Sequence, residues 1–117
     1  MLQGNGVSPD GRRRHPRLFV PAIVLAPTIP DFPVEAENIS AGGFMASFSE
    51  PPDADTLHDA VILLPGAAFR GCRARVVWRT RKESPMPRAW ASGLSFLMED
   101  REQDRLWHAL EALAKGG

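Results

Sequence analysis

Apolar and polar positions alternate with a period of two over most of this chain and switch to a helical period only near its end. The clearest alternation runs from Phe69 to Thr80. Cys72, Ala74, Val76 and Trp78 share one face, and Arg73, Arg75 and Arg79 share the other. This pattern predicts a strand with its Cys72 face, Trp78 included, in a core and its arginine face in water. Leu18-Phe19-Val20 and Ile23-Val24-Leu25 read as one strand bent near Pro21, a residue that lacks an amide donor and belongs at an edge or bulge. Val34 to Ile39 reads as a second strand and Phe44 to Phe48 as a third, with a turn at Ser40-Ala41-Gly42-Gly43 between them. Ala60 to Leu64 is a fourth, ending at Pro65-Gly66, and Trp90 to Leu97 returns after a hairpin loop over Lys82 to Pro87. Then the period changes. Leu106, Leu110 and Leu113 recur at helical spacing, with Trp107 and Ala114 widening the stripe and Gly116-Gly117 closing it. Asp100 followed by Gln103 is a suitable cap for the start of that helix.

About six strands followed by one amphipathic helix, with no internal repeat and no strand–helix alternation, predict an all-β fold with a C-terminal helix. The expected form is a small six-stranded antiparallel β-barrel with the helix packed on it. Residues 1–11 carry Gly4, Gly6, Pro9 and Gly11 and little to bury, so they are expected to form a flexible N-terminal tail. Residues 12–115 are expected to form the barrel domain with its helix.

Composition narrows the classes of function. The 117 residues hold 14 basic and 14 acidic side chains, so no net field draws the chain to nucleic acid or to a membrane surface. The charge is nonetheless segregated: Arg12, Arg13, Arg14 and Arg17 crowd the start, and Glu99, Asp100, Glu102 and Asp104 crowd the approach to the helix. That asymmetry predicts a local anion site. The single cysteine excludes an intramolecular disulfide and fits a reducing compartment. The opening residues do not resemble a signal peptide, and the longest apolar stretch, Leu18 to Pro27, is too short to span a bilayer. A cytoplasmic domain without membrane insertion is expected.

Two short motifs carry candidate chemistry. Arg13-Arg14-His15-Pro16-Arg17 reads as Arg-x-x-x-Arg, with Arg12 as a basic neighbour. A guanidinium fork can donate two parallel hydrogen bonds to guanine O6 and N7, or grip a phosphate. In an extended segment Arg13 and Arg17 project to one side, roughly 13 Å apart. That span suits opposite parts of a nucleotide ligand. Asn38-Ile39-Ser40-Ala41-Gly42-Gly43 reads as Asn-x-Ser-x-x-Gly. Asn38 and Ser40 point to one side if the segment is extended, both donate and accept, and the glycines let backbone turn close to a ligand.

Together the two motifs resemble the ligand signature of the PilZ family, small β-barrel domains that bind the bacterial second messenger cyclic di-GMP. The resemblance runs from Arg12 to about Leu113. Ala74-Arg75-Val76-Val77-Trp78 is similar to the family's Ala-x-Val-Val-Trp strand, and Gly93-Leu94-Ser95-Phe96 to its Gly-hydrophobic-x-Phe strand. The resemblance implies that Arg13 and Arg17 bind guanine and phosphate and that Arg12 adds a phosphate contact. It implies that Asn38, where the family often has Asp, and Ser40 hydrogen-bond the ligand, while Gly43 permits the turn. A non-catalytic receptor that passes the signal to a protein effector is the expected function. No catalytic cofactor is expected.

Other chemistries fare less well. Cys72 with His58 or His108 would be a nucleophile and base, but strand parity puts Cys72 in the core. Histidines at 15, 58 and 108 have no metal-ligand spacing. No acid–base pair can be placed, so no enzyme is expected. Two alternatives stay open. One is a PilZ-like interaction adaptor that works without ligand. The other is a small oligonucleotide-binding barrel, for which the exposed aromatics are few and Tyr is absent.

Overall fold

A computed structural model of the chain describes residues 17–29, 33–82 and 90–116. Seven strands are present among the described residues: β1 Ile23–Leu25, β2 Val34–Glu35, β3 Asn38–Ser40, β4 Gly43–Phe48, β5 Leu57–Leu64, β6 Ala67–Arg81 and β7 Trp90–Leu97. Helix α1, Asp100–Gly116, follows. The strands form one antiparallel sheet in the order β2-β1-β5-β6-β7-β4-β3.

The count of seven rather than six has a physical cause. Val34 to Ile39 was expected to be one strand, yet it divides at Ala36–Glu37, and its halves lie at opposite edges of the sheet. Three Cα steps separate Glu35 from Asn38, a reach of about 11 Å at most, so the edges must come together. The sheet therefore curls into a barrel form. Backbone bonds knit the junction: the Ala36 amide donates to the Ala22 carbonyl at 3.0 Å and the Glu37 amide to the Met45 carbonyl at 2.7 Å. Across the same seam Leu18 and Ile39 exchange both of their bonds, at 2.8 and 3.0 Å. Bending one strand across a seam leaves few unpaired amides at an edge, which is how a small barrel protects itself from edge-to-edge association.

Alternation puts one face of every strand inside. Val24, Ile39, Phe44, Phe48, Ile62 and Phe69 are fully buried, and Phe44 stacks on Phe96 with ring centroids 5.5 Å apart. Cys72 is 3% exposed and packs in this core, as its parity predicts. Leu106 and Leu110 of α1 join the same cluster with no exposed surface. Each contributes about 1.5–3 kcal/mol of transfer free energy. The Arg105 guanidinium lies over the Phe69 ring, 4.8 Å from its centroid, and adds a cation–π contact to the helix seat. Gln103, expected to close a cap, instead donates from Nε2 to the Ala41 carbonyl at 3.0 Å. The first turn of the helix is thereby tied to the turn that precedes β4. The tail expected over residues 1–11, and the residues through Pro16, lie outside the described residues.

Candidate functional site

The outer face of the sheet carries a shallow groove, and cross-strand register explains its shape. The Leu18/Ile39 bridge sets Arg17 beside β3. Ser40 pairs with Gly43, Gly43 with Ser95, and Ser95 with Arg75. One row thus runs from an arginine, across a serine, a glycine and a serine, to a second arginine. In the next row Asn38 pairs with Met45, Met45 with Gly93, and Gly93 with Trp78. Glycines at the centre of both rows leave the floor low.

Of the residues expected from sequence, Arg17, Asn38, Ser40 and Gly43 come together here. An Arg17 guanidinium nitrogen donates to Asn38 Oδ1 at 2.8 Å. That bond uses one of five N–H donors and leaves the rest available. Asn38 is 9% exposed and Ser40 7%, on the side of β3 opposite the core residue Ile39. The Ser40 hydroxyl accepts from the Gly42 amide at 3.1 Å and approaches the Gly43 carbonyl at 3.4 Å. These bonds hold the turn in one shape before any ligand arrives, which lowers the ordering cost of binding. A Cβ on Gly43 would sit 2.2 Å from the Leu94 carbonyl oxygen, so only glycine lets β4 approach β7 this closely. Arg12 and Arg13 lie outside the described residues.

Sequence parity missed one wall of the groove. Trp78 was expected in the core; it is 38% exposed and lies on the outer face. The ladder between β6 and β7 shifts register between Val76 and Trp78, so Val77 is an extra residue and every later side chain changes face. The buried Ser92 hydroxyl donates to the Trp78 carbonyl at 2.8 Å and satisfies backbone there. The indole then settles over Gly93, where a Cβ would lie 2.3 Å from Nε1. Glycine inside a strand pattern is the signal that could have revealed this close approach. A cavity of about 160 Å³ results, lined by Arg17, Ser40, Gly42, Gly43, Val77, Trp78, Gly93, Leu94 and Ser95.

The remaining titratable candidates are held elsewhere. Burial pushes the Cys72 thiol up to about 11 from its ordinary 9.0, so it is a protonated core residue at neutral pH. His58 is 1% exposed, with Nδ1 2.7 Å from the Thr28 hydroxyl and Nε2 3.4 Å from the Asp53 carbonyl. It ties a turn and a loop to β5. Among the described residues no group of three or more His, Cys, Asp or Glu side chains could hold a metal ion, and no helix is long and apolar enough to cross a membrane.

What this arrangement can do chemically is grip an anion or a base edge from one side and offer a flat apolar ring from the other. Comparison with known families places it: the model of the PilZ domain matches residues 11–113, nearly the whole chain. Neither the curated proteins nor the solved structures returned a match.

Proposed function

The chain belongs to the PilZ family, and from that membership and the groove we propose that it is a non-catalytic, cytoplasmic receptor for cyclic di-GMP. On this reading it passes the signal to a protein effector. The observation that carries the reading is the Arg17–Asn38 bond, which joins the Arg-x-x-x-Arg segment to the Asn-x-Ser-x-x-Gly turn at one place on the barrel. A ligand there would take guanidinium donors from Arg17, and from Arg12 and Arg13 of the adjoining segment. Asn38 and Ser40 would supply the polar floor beneath it. The exposed Trp78 ring supports the same reading, because a flat π-face beside a guanidinium suits a purine.

The affinity should come mainly from charge-assisted bonds to phosphate and guanine. Isothermal titration of cyclic di-GMP into the protein tests the proposal. Binding is expected, and Arg17→Ala should weaken it at least tenfold while lowering the thermal midpoint by only a few degrees, since Arg17 is exposed and its loss to the fold is the one bond to Asn38. Absence of binding heat at tens of micromolar would overturn the receptor reading. Partner capture that is indifferent to ligand would then favour the ligand-independent adaptor, and tighter, salt-sensitive binding of single strands would favour the oligonucleotide barrel.

A further inference from the structure

The cavity beside Arg17 holds about 160 Å³, which falls below the roughly 300 Å³ at which pockets for small organic ligands begin. A ligand with two purines needs more wall than this. A neighbouring hollow of about 410 Å³ supplies it, lined by Ala54, Asp55, Arg75, Val76 and Val77. Val77 lines both spaces, so the two share a wall at the bulge in β6.

Arg75 stands at the far end of the row that begins at Arg17. Three strand spacings separate it from Ser40, about 14 Å, with only Gly43 and Ser95 between them. Its guanidinium is exposed and makes no hydrogen bond or ion pair among the described residues. Asp55 enters the hollow from the loop between β4 and β5, and that loop is built to keep its shape. The Asp53 carboxylate accepts from the Asp55 amide at 3.1 Å and from the Thr56 hydroxyl at 2.7 Å. Arg79 reaches across from β6 to the Pro52 carbonyl at 2.7 Å. A guanidinium and a carboxylate thus line one hollow without being paired to each other.

For a phosphate this pairing is poor, because the carboxylate would repel it. For a guanine it is complementary. Guanine offers two acceptors, O6 and N7, on one edge and two donors, N1–H and the N2 amino group, on the adjoining edge. Arginine supplies two donors in a plane and a carboxylate supplies two acceptors. Adenine puts a donor at N6 and an acceptor at N1, so both protein groups would meet the wrong partner.

We propose that the hollow between the 52–56 loop and β6 is a guanine subsite, in which Arg75 reads O6 and N7 and Asp55 reads N1–H and N2. It rests on the receptor reading above and adds to it the means by which the protein selects guanine over adenine.

The test is calorimetric titration with cyclic di-GMP and cyclic di-AMP of the wild type, Arg75→Ala, Asp55→Asn and a control, Arg73→Ala. Arg73 is exposed on the same strand but borders a different depression. The wild type should prefer cyclic di-GMP by at least a hundredfold. Arg75→Ala and Asp55→Asn should each weaken cyclic di-GMP about tenfold or more, leave the weak cyclic di-AMP binding nearly as it was, and so shrink the preference. Arg73→Ala should change neither. The guanine subsite is overturned if wild type binds cyclic di-GMP and both variants keep its affinity within twofold. It is equally overturned if Arg75→Ala weakens both ligands alike, or if Asp55→Asn tightens both, since either result describes phosphate electrostatics alone. A wild type that binds neither ligand sinks the receptor reading itself, and the subsite with it.

Discussion

The two halves of β6 obey different rules. From Phe69 to Val76 the strand serves the core: Phe69, Cys72, Ala74 and Val76 are buried. From Val77 to Arg81 every residue is exposed, including a tryptophan and a valine that composition alone would place inside. One extra residue separates the two regimes. The first half gains stability by excluding water, whereas the second gives up that burial and presents an indole, over a glycine, to a polar groove. A single bulge, placed just past the point where pairing with β5 ends at Arg75 and only pairing with β7 continues, therefore converts a packing surface into a recognition surface on one continuous strand.

Substitutions that act on the inner and outer faces should separate cleanly. Phe44→Ala, on the inner face, removes a fully buried ring stacked on Phe96. It should cost about 3–5 kcal/mol, and at about 4–8 °C per kcal/mol the thermal midpoint should fall by well over 10 °C. The fraction that remains folded should bind ligand normally. Gly43→Ala comes next and straddles both faces. Its Cβ would press on the Leu94 backbone oxygen, which cannot swing away as a side chain can. A loss of about 2–3 kcal/mol in chemical denaturation is expected, together with weaker ligand binding as β4 moves off β7. A Gly43→Ala protein as stable as the wild type would show that the close approach is not maintained in solution.

Much of this was legible because strands announce themselves by parity. The hairpins β3–β4, β5–β6 and β6–β7 fall where turn residues interrupt alternation, and Leu106 and Leu110 mark the helix face by their spacing. The motif residues Arg17, Asn38, Ser40 and Gly43 stand out by their spacing together with the resemblance to the PilZ signature, and the barrel seam brings them together. Two features were not legible. Val34-Glu35-Ala36-Glu37 alternates and Asn38-Ile39 reverses the parity, a single break too slight to announce that the strand divides there, because sheet curvature is set by the strands together. The bulge at Val77 is equally silent: Val-Val-Trp suits a strand in either register, and only Gly93, opposite on β7, hints that a large ring lies above it. Arg75 falls at the variable position of Ala-x-Val-Val-Trp and Asp55 in no motif, so only the folded neighbourhood places them in one hollow.

A smaller effect of the inner face should be seen in pH. Burial holds the Cys72 thiol at about 11 against 9.0 for an ordinary one. The unfolded chain therefore loses this proton first, and stability falls as pH rises. The contribution is fully present below about pH 9 and is lost between there and pH 11, about 3 kcal/mol at most. Cys72→Ala should flatten that part of the stability curve relative to wild type, by urea denaturation across pH 7–11. Equal slopes in the two proteins would place the thiol in water rather than in the core. A thiol reagent at pH 8 should likewise label native protein only as fast as the barrel opens.

The smallest stability effect should come from the residue whose position is most surprising. Trp78→Ala removes a ring that lies on glycine at the surface, so unfolding should become easier by no more than about 1 kcal/mol. If the outer face is a recognition surface, the same change should weaken cyclic di-GMP binding about tenfold, while Trp78→Phe, which keeps a π-face, should recover much of it. Gly93→Ala sharpens the distinction. Its new methyl meets the indole, a side chain with solvent beside it, so the ring can tilt outward at little cost to folding. Stability should then be nearly kept while the shape of the groove, and with it affinity, is lost. If instead Trp78→Ala destabilised the protein as strongly as Phe44→Ala, the division of β6 into a packing half and a recognition half would be wrong. The bulge would then have to be understood as a way of packing the barrel rather than of opening it.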